Sequence, residues 1–183
     1  MTLRLTDPAV EFVPSYAEAL REGFRMGVTD ITPPEAIAAM EADPKAYIAE
    51  LLTPPLPFVI MPDGSHNARV PSSKFWLVEG QRFIGEVSIR HHLNEKLESY
   101  GGHIGYGTRP SVWGQGYGKK ILGLALIFCR ASLGLEKVLI TCDDSNRGSL
   151  GVIEGNGGVL WDIRPHPYTA GAKSRRYWVP TAS

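Results

Sequence analysis

The sequence has no surplus of either charge: 19 Lys and Arg stand against 19 Asp and Glu in 183 residues. Proteins that track nucleic acid or lie on anionic membranes ordinarily carry a basic excess, so neither partner is expected, although a local basic patch is still allowed. Cysteine is scarce. Cys129 and Cys142 show no C-x-x-C spacing and no histidine at metal-ligand spacing, so no zinc site and no disulfide framework is expected. Buried free thiols of a cytoplasmic protein account for both. No apolar run approaches the ~20 residues of a membrane span. The longest, Ile121 to Cys129, has the length of a core helix, and the opening MTLRLTDPAVEF has no leader-like apolar centre.

What is present is ordinary for a globular chain. A hydrophobic fraction of 43% with 21% charged residues supports a real core. The length suits a single domain spanning 1–183. Thr2 to Thr6 alternates as a first strand, and Glu11 to Arg25 reads as an amphipathic helix with Tyr16, Leu20 and Phe24 on one face. Pro34 to Leu52 reads as a second helix, split or bent at Pro44. Residues 53–73 hold five prolines and read as a long surface loop rather than a linker. From Lys74 the pattern turns to strands: Phe75–Val78, Phe83–His91 and Gly102–Arg109, with Leu93 to Gly102 as a connection. A helix over Gln115–Leu133, a buried strand Lys137–Cys142 and a short helix to about Asn156 follow. Asp143, Asp144 and Ser145 supply capping chemistry for that short helix, and Val159–Ile163 and Arg175–Val179 close the chain as strands.

The chain is organised around Gly105 to Lys120, GYGTRPSVWGQGYGKK. A strand, a glycine-spaced loop (Gly114, Gln115, Gly116, Tyr117, Gly118) and a helix N-terminus make a cradle for phosphate. The first N–H groups of a helix have no partner within it, the dipole adds positive charge, and glycine lets an anion approach the backbone. Lys119 and Lys120 add full positive charges nearby. Two nucleotide motifs fail here. The Walker form requires glycine where Trp113 stands and Ser or Thr where Lys120 stands; the dinucleotide form requires glycine where Lys119 stands.

The loop resembles instead the Q/R-x-x-G-x-G/A signature of the GCN5-related N-acetyltransferases (GNAT). Gly116 and Gly118 match it, and Trp113 takes the place of Arg or Gln. Arg109-Pro110 resembles the turn before that signature. Downstream, Asn146, Ser149 and Gly157 stand where the family has an Asn, a small residue and a terminal glycine. The resemblance implies an α/β (α+β) fold with a mixed, mostly antiparallel sheet of about seven strands and about four flanking helices. It also implies that the fourth and fifth strands splay to admit an acyl-CoA arm. Acetyl-CoA is then the expected co-substrate. Tyr106, Gly107 and Thr108 would face the pantetheine, and Trp113 to Lys119 the pyrophosphate, with Asn146 and Ser149 along the arm. The acceptor pocket would be lined by the N-terminal helices, residues 53–73, and the segment 164–173 with Arg164, His166 and Tyr168.

The implied activity is acetyl transfer to a primary amine of a small or amino-acid-like acceptor by direct attack in a ternary complex, without a metal. Such a reaction requires a neutral amine, a donor for the thioester oxygen and a proton for the leaving thiolate. Glu86 is the first candidate base, sharing a strand face with Ser88 and Arg90, where an ion pair with Arg90 or Arg82 would explain it as well. His103 is the second candidate base. The family often has a tyrosine acid seven residues after the Asn; here that place holds Ile153. Tyr106, Tyr117 or water would then serve the thiolate. The alternative is a non-catalytic acyl-CoA-binding or regulatory module. Pairing of the last strand across a homodimer is a further expectation.

Overall fold

The computed structural model describes residues 2–27, 30–54, 56–60 and 66–181. The chain runs from β1 (Leu3–Thr6) through a 3-10 turn into α1 (Val13–Arg21), α2 (Pro34–Ala42) and α3 (Pro44–Leu52). Short strands β2 (Phe58–Ile60) and β3 (His66–Ala68) precede β4 (Ser72–Glu79) and β5 (Arg82–Arg90). Then come α4 (Glu95–Ser99), β6 (Ile104–Thr108), α5 (Tyr117–Leu133), β7 (Lys137–Asp143), α6 (Arg147–Glu154), β8 (Val159–Pro165) and β9 (Lys173–Pro180).

The seven expected strands form two antiparallel sheets, ordered β1-β4-β5-β6 and β7-β9-β8. The α+β architecture of about seven mostly antiparallel strands expected from sequence is therefore the one observed, the strands lying in two sheets whose described ladders are all antiparallel. One local reading holds, the split at Pro44, and two are corrected. The second helix divides at Asp43, because Pro44 has no N–H to continue it, and Asp43 Oδ1 caps the new helix by accepting from Ala46 N–H at 2.9 Å. The stretch 93–102 contains α4, capped by Asn94, which takes the Leu97 N–H at 2.9 Å. Residues 53–73 hold the β2–β3 hairpin rather than a loop throughout. Of its described prolines, Pro57 stands just before the run Phe58-Val59-Ile60 and Pro71 beyond the second strand, and Pro57 accepts from Arg69 N–H at 2.8 Å across the base. Residues 55 and 61–65 of that stretch, with Pro55, Pro62 and Gly64, lie outside the described residues.

The four-stranded sheet is covered on both faces, which explains why β4 and β5 are so apolar. One face carries Leu77, Ile84, Val87, Ile89 and Ile104 against Ile121, Leu122 and Ala125 of α5. The other carries Trp76, Val78 and Phe83 against Tyr16, Leu20, Ile37 and Ile48 of α1–α3. Aromatic rings dominate that second layer: Tyr16 stacks on Trp76 at 4.7 Å and meets Phe83 edge-on at 4.9 Å. A bulge at Leu77/Val78 makes Ile84 the extra residue of β5. It frees the Ile84 carbonyl to accept from Arg109 N–H at 2.9 Å. Next to it, Gly85 is obligatory: an added Cβ would stand 2.3 Å from the Gly107 carbonyl oxygen.

Arg109, at the end of β6, ties this sheet to α1. Its guanidinium is 3% exposed and chelates the Glu22 carboxylate, with Ser15 Oγ and the Phe83 carbonyl each at 3.1 Å. The same carboxylate accepts from Ser111 N–H at 3.2 Å. The Arg109 hydrogen bonds hold the Glu22 pKa down to about 2. A folded pKa below the unfolded one stabilises above the unfolded value and is lost as pH falls through the folded value. Acid unfolding followed by circular dichroism between about pH 4.5 and 2 should therefore be shallower in Glu22→Gln than in the parent, and the variant should be less stable at neutral pH. Parallel curves for the two proteins would show that this pair contributes nothing.

Candidate active site

β6 and β7 share no strand ladder among the described residues. They meet at one end. There His103 N–H donates to the Leu139 carbonyl at 2.7 Å, and Leu139 N–H donates back to His103 Nδ1 at 2.9 Å. Gly102 permits the approach: an added Cβ would lie 2.4 Å from the Leu139 oxygen, and its φ of 61° suits glycine. Beyond this latch β6 diverges, and the backbone edge of Gly105 to Thr108 that faces away from β5 is left without a strand. An open wedge with an unpaired strand edge is a receptor for an extended molecule carrying amides.

The wedge leads into the glycine loop. Gly114 and Gly116 have φ of 76° and 82°, where an L side chain is strained. An added Cβ at either meets nothing within 4 Å, so the space before the loop is open. Among the described residues, the N–H groups of Gly114, Gly116, Tyr117 and Gly118 find no acceptor, while Gln115 N–H bonds the Val112 carbonyl at 3.3 Å. Free amides at the start of the 17-residue α5 fit a pyrophosphate. Gly118 also sets helix packing, since a Cβ there would come within 2.8 Å of Val152 Cγ2 on α6.

Side chains around the loop are mostly engaged with the protein. Trp113 is 67% exposed and donates from Nε1 to the Thr108 carbonyl at 2.9 Å, bracing the turn in place of the motif's polar residue. Gln115 Nε2 donates to the Ser111 carbonyl at 3.0 Å. Tyr117 donates its hydroxyl to Glu79 at 3.0 Å and lies 4.8 Å under Lys120 Nζ. Lys119 lies over Gly155 at the end of α6. The actual N-cap of α6 is Asn146, not the expected Asp143-Asp144-Ser145 run: its Oδ1 accepts from Ser149 N–H at 3.0 Å.

The expected catalytic residues separate. Tyr106 points to the α5–α6 face, and its hydroxyl lies 3.3 Å from Ser149 Oγ, bridging β6 and α6. Burial pushes its pKa well above the ordinary tyrosine value. Glu86 is buried on the opposite face, opposite Gly107 of β6 and Trp76 of β4. Its partners are neither Arg90 nor Arg82: Trp76 Nε1 donates to it at 3.1 Å and Lys74 Nζ stands at 3.5 Å. His103 lies four register positions from Glu86, about 13 Å along the ladder. Its Nδ1 is occupied by the latch, and burial lowers its pKa. Ile153, in the place of the family tyrosine, is fully buried in the core.

On the Glu86 face lies a cleft of about 1030 Å³ lined by α3, Thr53, Pro54, Leu56, Pro57, residues 69–75, Ser88 and His91. A second of about 600 Å³ continues it past Ser88 toward Arg90 and α4. Ser88 lies opposite Gly105, above which an added Cβ would meet nothing. The clefts therefore open on the Glu86 side of β6, away from Tyr106, and Glu86 itself lines neither. The segment after α1 closes the other side, with Arg25 O and Met26 Sδ each 3.2 Å from the place of a Cβ on Gly107. Cys129 and Cys142 are buried free thiols, their pKa values pushed up to about 11 by burial. Among the described residues no group of acidic, histidine and cysteine side chains could hold a metal, and no helix is long and apolar enough to cross a membrane.

Sequence reasoning missed Arg109 as an anchor, the pairing of Tyr106 with Ser149, and Lys74 beside Glu86. Glu18 and Glu22, one turn apart on α1, were the available signal for a buried cation; nothing in the sequence marks the other two.

Two splayed strands that feed a helix-capping glycine loop define a class of acyltransferase. The acetyltransferase (GNAT) domain family Acetyltransf_3 matches residues 28–159, and the chain belongs to it. It is an acyltransferase of that family, whose members use acetyl-CoA. Among solved structures it is similar to a spermidine N-acetyltransferase, SpeG, from Vibrio cholerae, with 15% identity, TM-score 0.58 and coverage of 99% of this chain and 95% of that one. It is also similar to RimL, a ribosomal-protein alpha-N-acetyltransferase in complex with coenzyme A, with 14% identity, TM-score 0.62 and coverage of 100% and 97%. Nothing among curated protein sequences matches it.

Removing the latch imidazole leaves the Leu139 amide buried without an acceptor, which costs about 1–3 kcal/mol. Urea denaturation of His103→Ala should show a loss of that size. A midpoint within error of the parent would deny the latch.

Proposed function

We propose that the chain moves the acetyl group of acetyl-CoA to a primary amine of a small-molecule or amino-acid-like acceptor by direct attack in a ternary complex. The observation that carries this reading is the row of free amides at Gly114, Gly116, Tyr117 and Gly118 at the mouth of the wedge. In this reading those amides hold the pyrophosphate, and the edge of Gly105 to Gly107 that faces away from β5 pairs with the pantetheine amides like a missing strand, with Thr108, whose carbonyl accepts from Trp113 Nε1, at its end. Asn146, capping α6 through Oδ1, still has its Nδ2 donor for the same arm. Acetyl-CoA supplies an electrophilic thioester carbonyl.

The chain's own groups divide the remaining work. Glu86 receives the proton of the acceptor amine, directly or through a water, beside the clefts from which the amine arrives. Lys74 and Trp76 keep its carboxylate oriented. Tyr106 acts as a hydrogen-bond donor to the leaving sulfur rather than as a full proton source: a thiol titrates near about 8.5, below this buried hydroxyl. Ser149 holds the Tyr106 hydroxyl in place. His103 serves the geometry of the wedge and not the proton. The similar structures bear the names of a spermidine and a protein alpha-amine acetyltransferase, and an amine acceptor follows that pattern.

Isothermal titration should give saturable binding of acetyl-CoA, weakened in Gly116→Ala because the left-handed loop geometry is strained by a side chain. No heat at millimolar ligand would sink the reading. Glu86→Gln should lower turnover roughly 10²-fold, read as thiol release with an amine panel, with little change in acetyl-CoA affinity. An unchanged pH–rate profile in that variant would remove Glu86 from the mechanism.

A further inference from the structure

One arginine of this protein is withdrawn from solvent without a carboxylate. Arg109, Arg175 and Arg176, the other described arginines that are not exposed, hold Glu22, Asp144 and Asp162. Arg90, at the end of β5, has no ion pair among the described residues. Its Nη1 donates to the Gly101 and Gly102 carbonyls at 3.2 and 3.1 Å, neutral groups that orient the guanidinium without balancing its charge. Burial lowers its pKa from the ordinary arginine value. Its Nε and Nη2 donate to nothing among the described residues. Those two nitrogens form a planar side-on fork. In Arg176 the same pair grips both oxygens of Asp162.

The Arg90 side chain lines the cleft of about 600 Å³, together with Arg69, Lys96 and Glu95 as its other charged residues. Neither Arg69 nor Lys96 has an ion pair among the described residues, so cations outnumber carboxylates on these walls. A partly desolvated guanidinium with an idle fork is matched by a carboxylate, which accepts both N–H groups and restores charge balance. The place fits an acceptor. Glu86, Ser88 and Arg90 share one face of β5, and Ser88 lines both clefts opposite Gly105, where β6 leaves open space. Arg90 stands about 7 Å beyond Ser88 along the strand and about 13 Å beyond Glu86. An amine that reaches a thioester beside Gly105 therefore meets Arg90 only through a carboxylate several bonds away. The carboxylate of an α-amino acid adjoins its amine and falls short.

We infer that Arg90 is a specificity-determining residue that receives a carboxylate at the far end of the acceptor from its amine, which makes the favoured substrate an ω-amino acid rather than an α-amino acid or an uncharged amine. The word acceptor rests on the acetyl-transfer reading, but the anion site is tested without turnover. Calorimetry compares 6-aminohexanoate with 6-aminohexanamide, which lacks the negative charge, and with norleucine, the isomer whose carboxylate adjoins the amine, with and without coenzyme A. The parent should bind 6-aminohexanoate about tenfold or more tightly than either, as a charged hydrogen-bonded pair requires. That comparison needs no variant. Arg90→Gln should bring 6-aminohexanoate to the level of the amide while changing the amide by less than about twofold. Arg90→Lys should recover only part of the preference, because a point charge lacks the fork. Lys96→Ala, on an exposed side of α4, should weaken 6-aminohexanoate slightly in the same sense. Equal binding of acid and amide by the parent, or a preference for the acid that survives Arg90→Gln, would overturn the site. Norleucine binding as tightly as 6-aminohexanoate would overturn the ω-amino acid. Failure of the parent to bind coenzyme A would count against the acetyl-transfer reading instead, leaving the acid and amide comparison to decide the role of Arg90.

Discussion

Two hydrogen bonds between His103 and Leu139 determine where the sheet of this protein stops and its cleft begins. They join the strands flanking α5 at one end only. Had pairing continued along β6 and β7, the two sheets would be one and the backbone groups of Gly105 to Thr108 would be spent on protein. Because the latch uses a side-chain nitrogen instead of a further ladder rung, the strands are free to part immediately beyond it. The free strand edge, the loop amides and the split between the two faces of β6 follow from that single junction.

The split has a chemical consequence. Successive residues of β6 face opposite sides, so Tyr106 reaches α6 while Gly105 leaves space on the side of Glu86 and Gly107 lies under Arg25 and Met26. A thioester in the wedge would have a hydroxyl donor near its sulfur on one side and a buried carboxylate near an incoming amine on the other. Neither arrangement requires a covalent enzyme intermediate. The Arg109–Glu22 chelate holds the loop entry against α1, so the N-terminal helices and the glycine loop are fixed to one buried cation.

Much of this architecture was legible in the sequence, because its large elements are strongly periodic. All seven main strands and α5 stand where alternation, continuous apolar runs and the glycine at 134 put them. The β2–β3 hairpin was hidden by the prolines around it, which signal loop; the described ones, Pro54, Pro57 and Pro71, stand outside the paired residues. The glycine loop was readable because its chemistry is carried by backbone, and glycine spacing reports backbone. The side-chain groups were harder to read. Glu86 was identifiable as a carboxylate in a central strand, but its partners come from β4 through tertiary register. His103 read as a possible base because sequence cannot show that its Nδ1 is taken by a strand amide. The His166 imidazole, 3.3 Å from Asp143 Oδ1 and 3.0 Å from the Tyr100 hydroxyl, joins the last hairpin to β7 and to the lead-in of β6, a juxtaposition with no local signature.

The central claim is that the wedge between β6 and β7, and not the larger cleft beside α3, receives the acyl-CoA arm. Hydrogen–deuterium exchange with and without coenzyme A tests it directly. Protection should appear in peptides covering Gly105–Thr108 and Gly114–Lys119, with little change over residues 50–57. Protection confined to residues 50–57 and 69–75, with the wedge and loop unchanged, would contradict it.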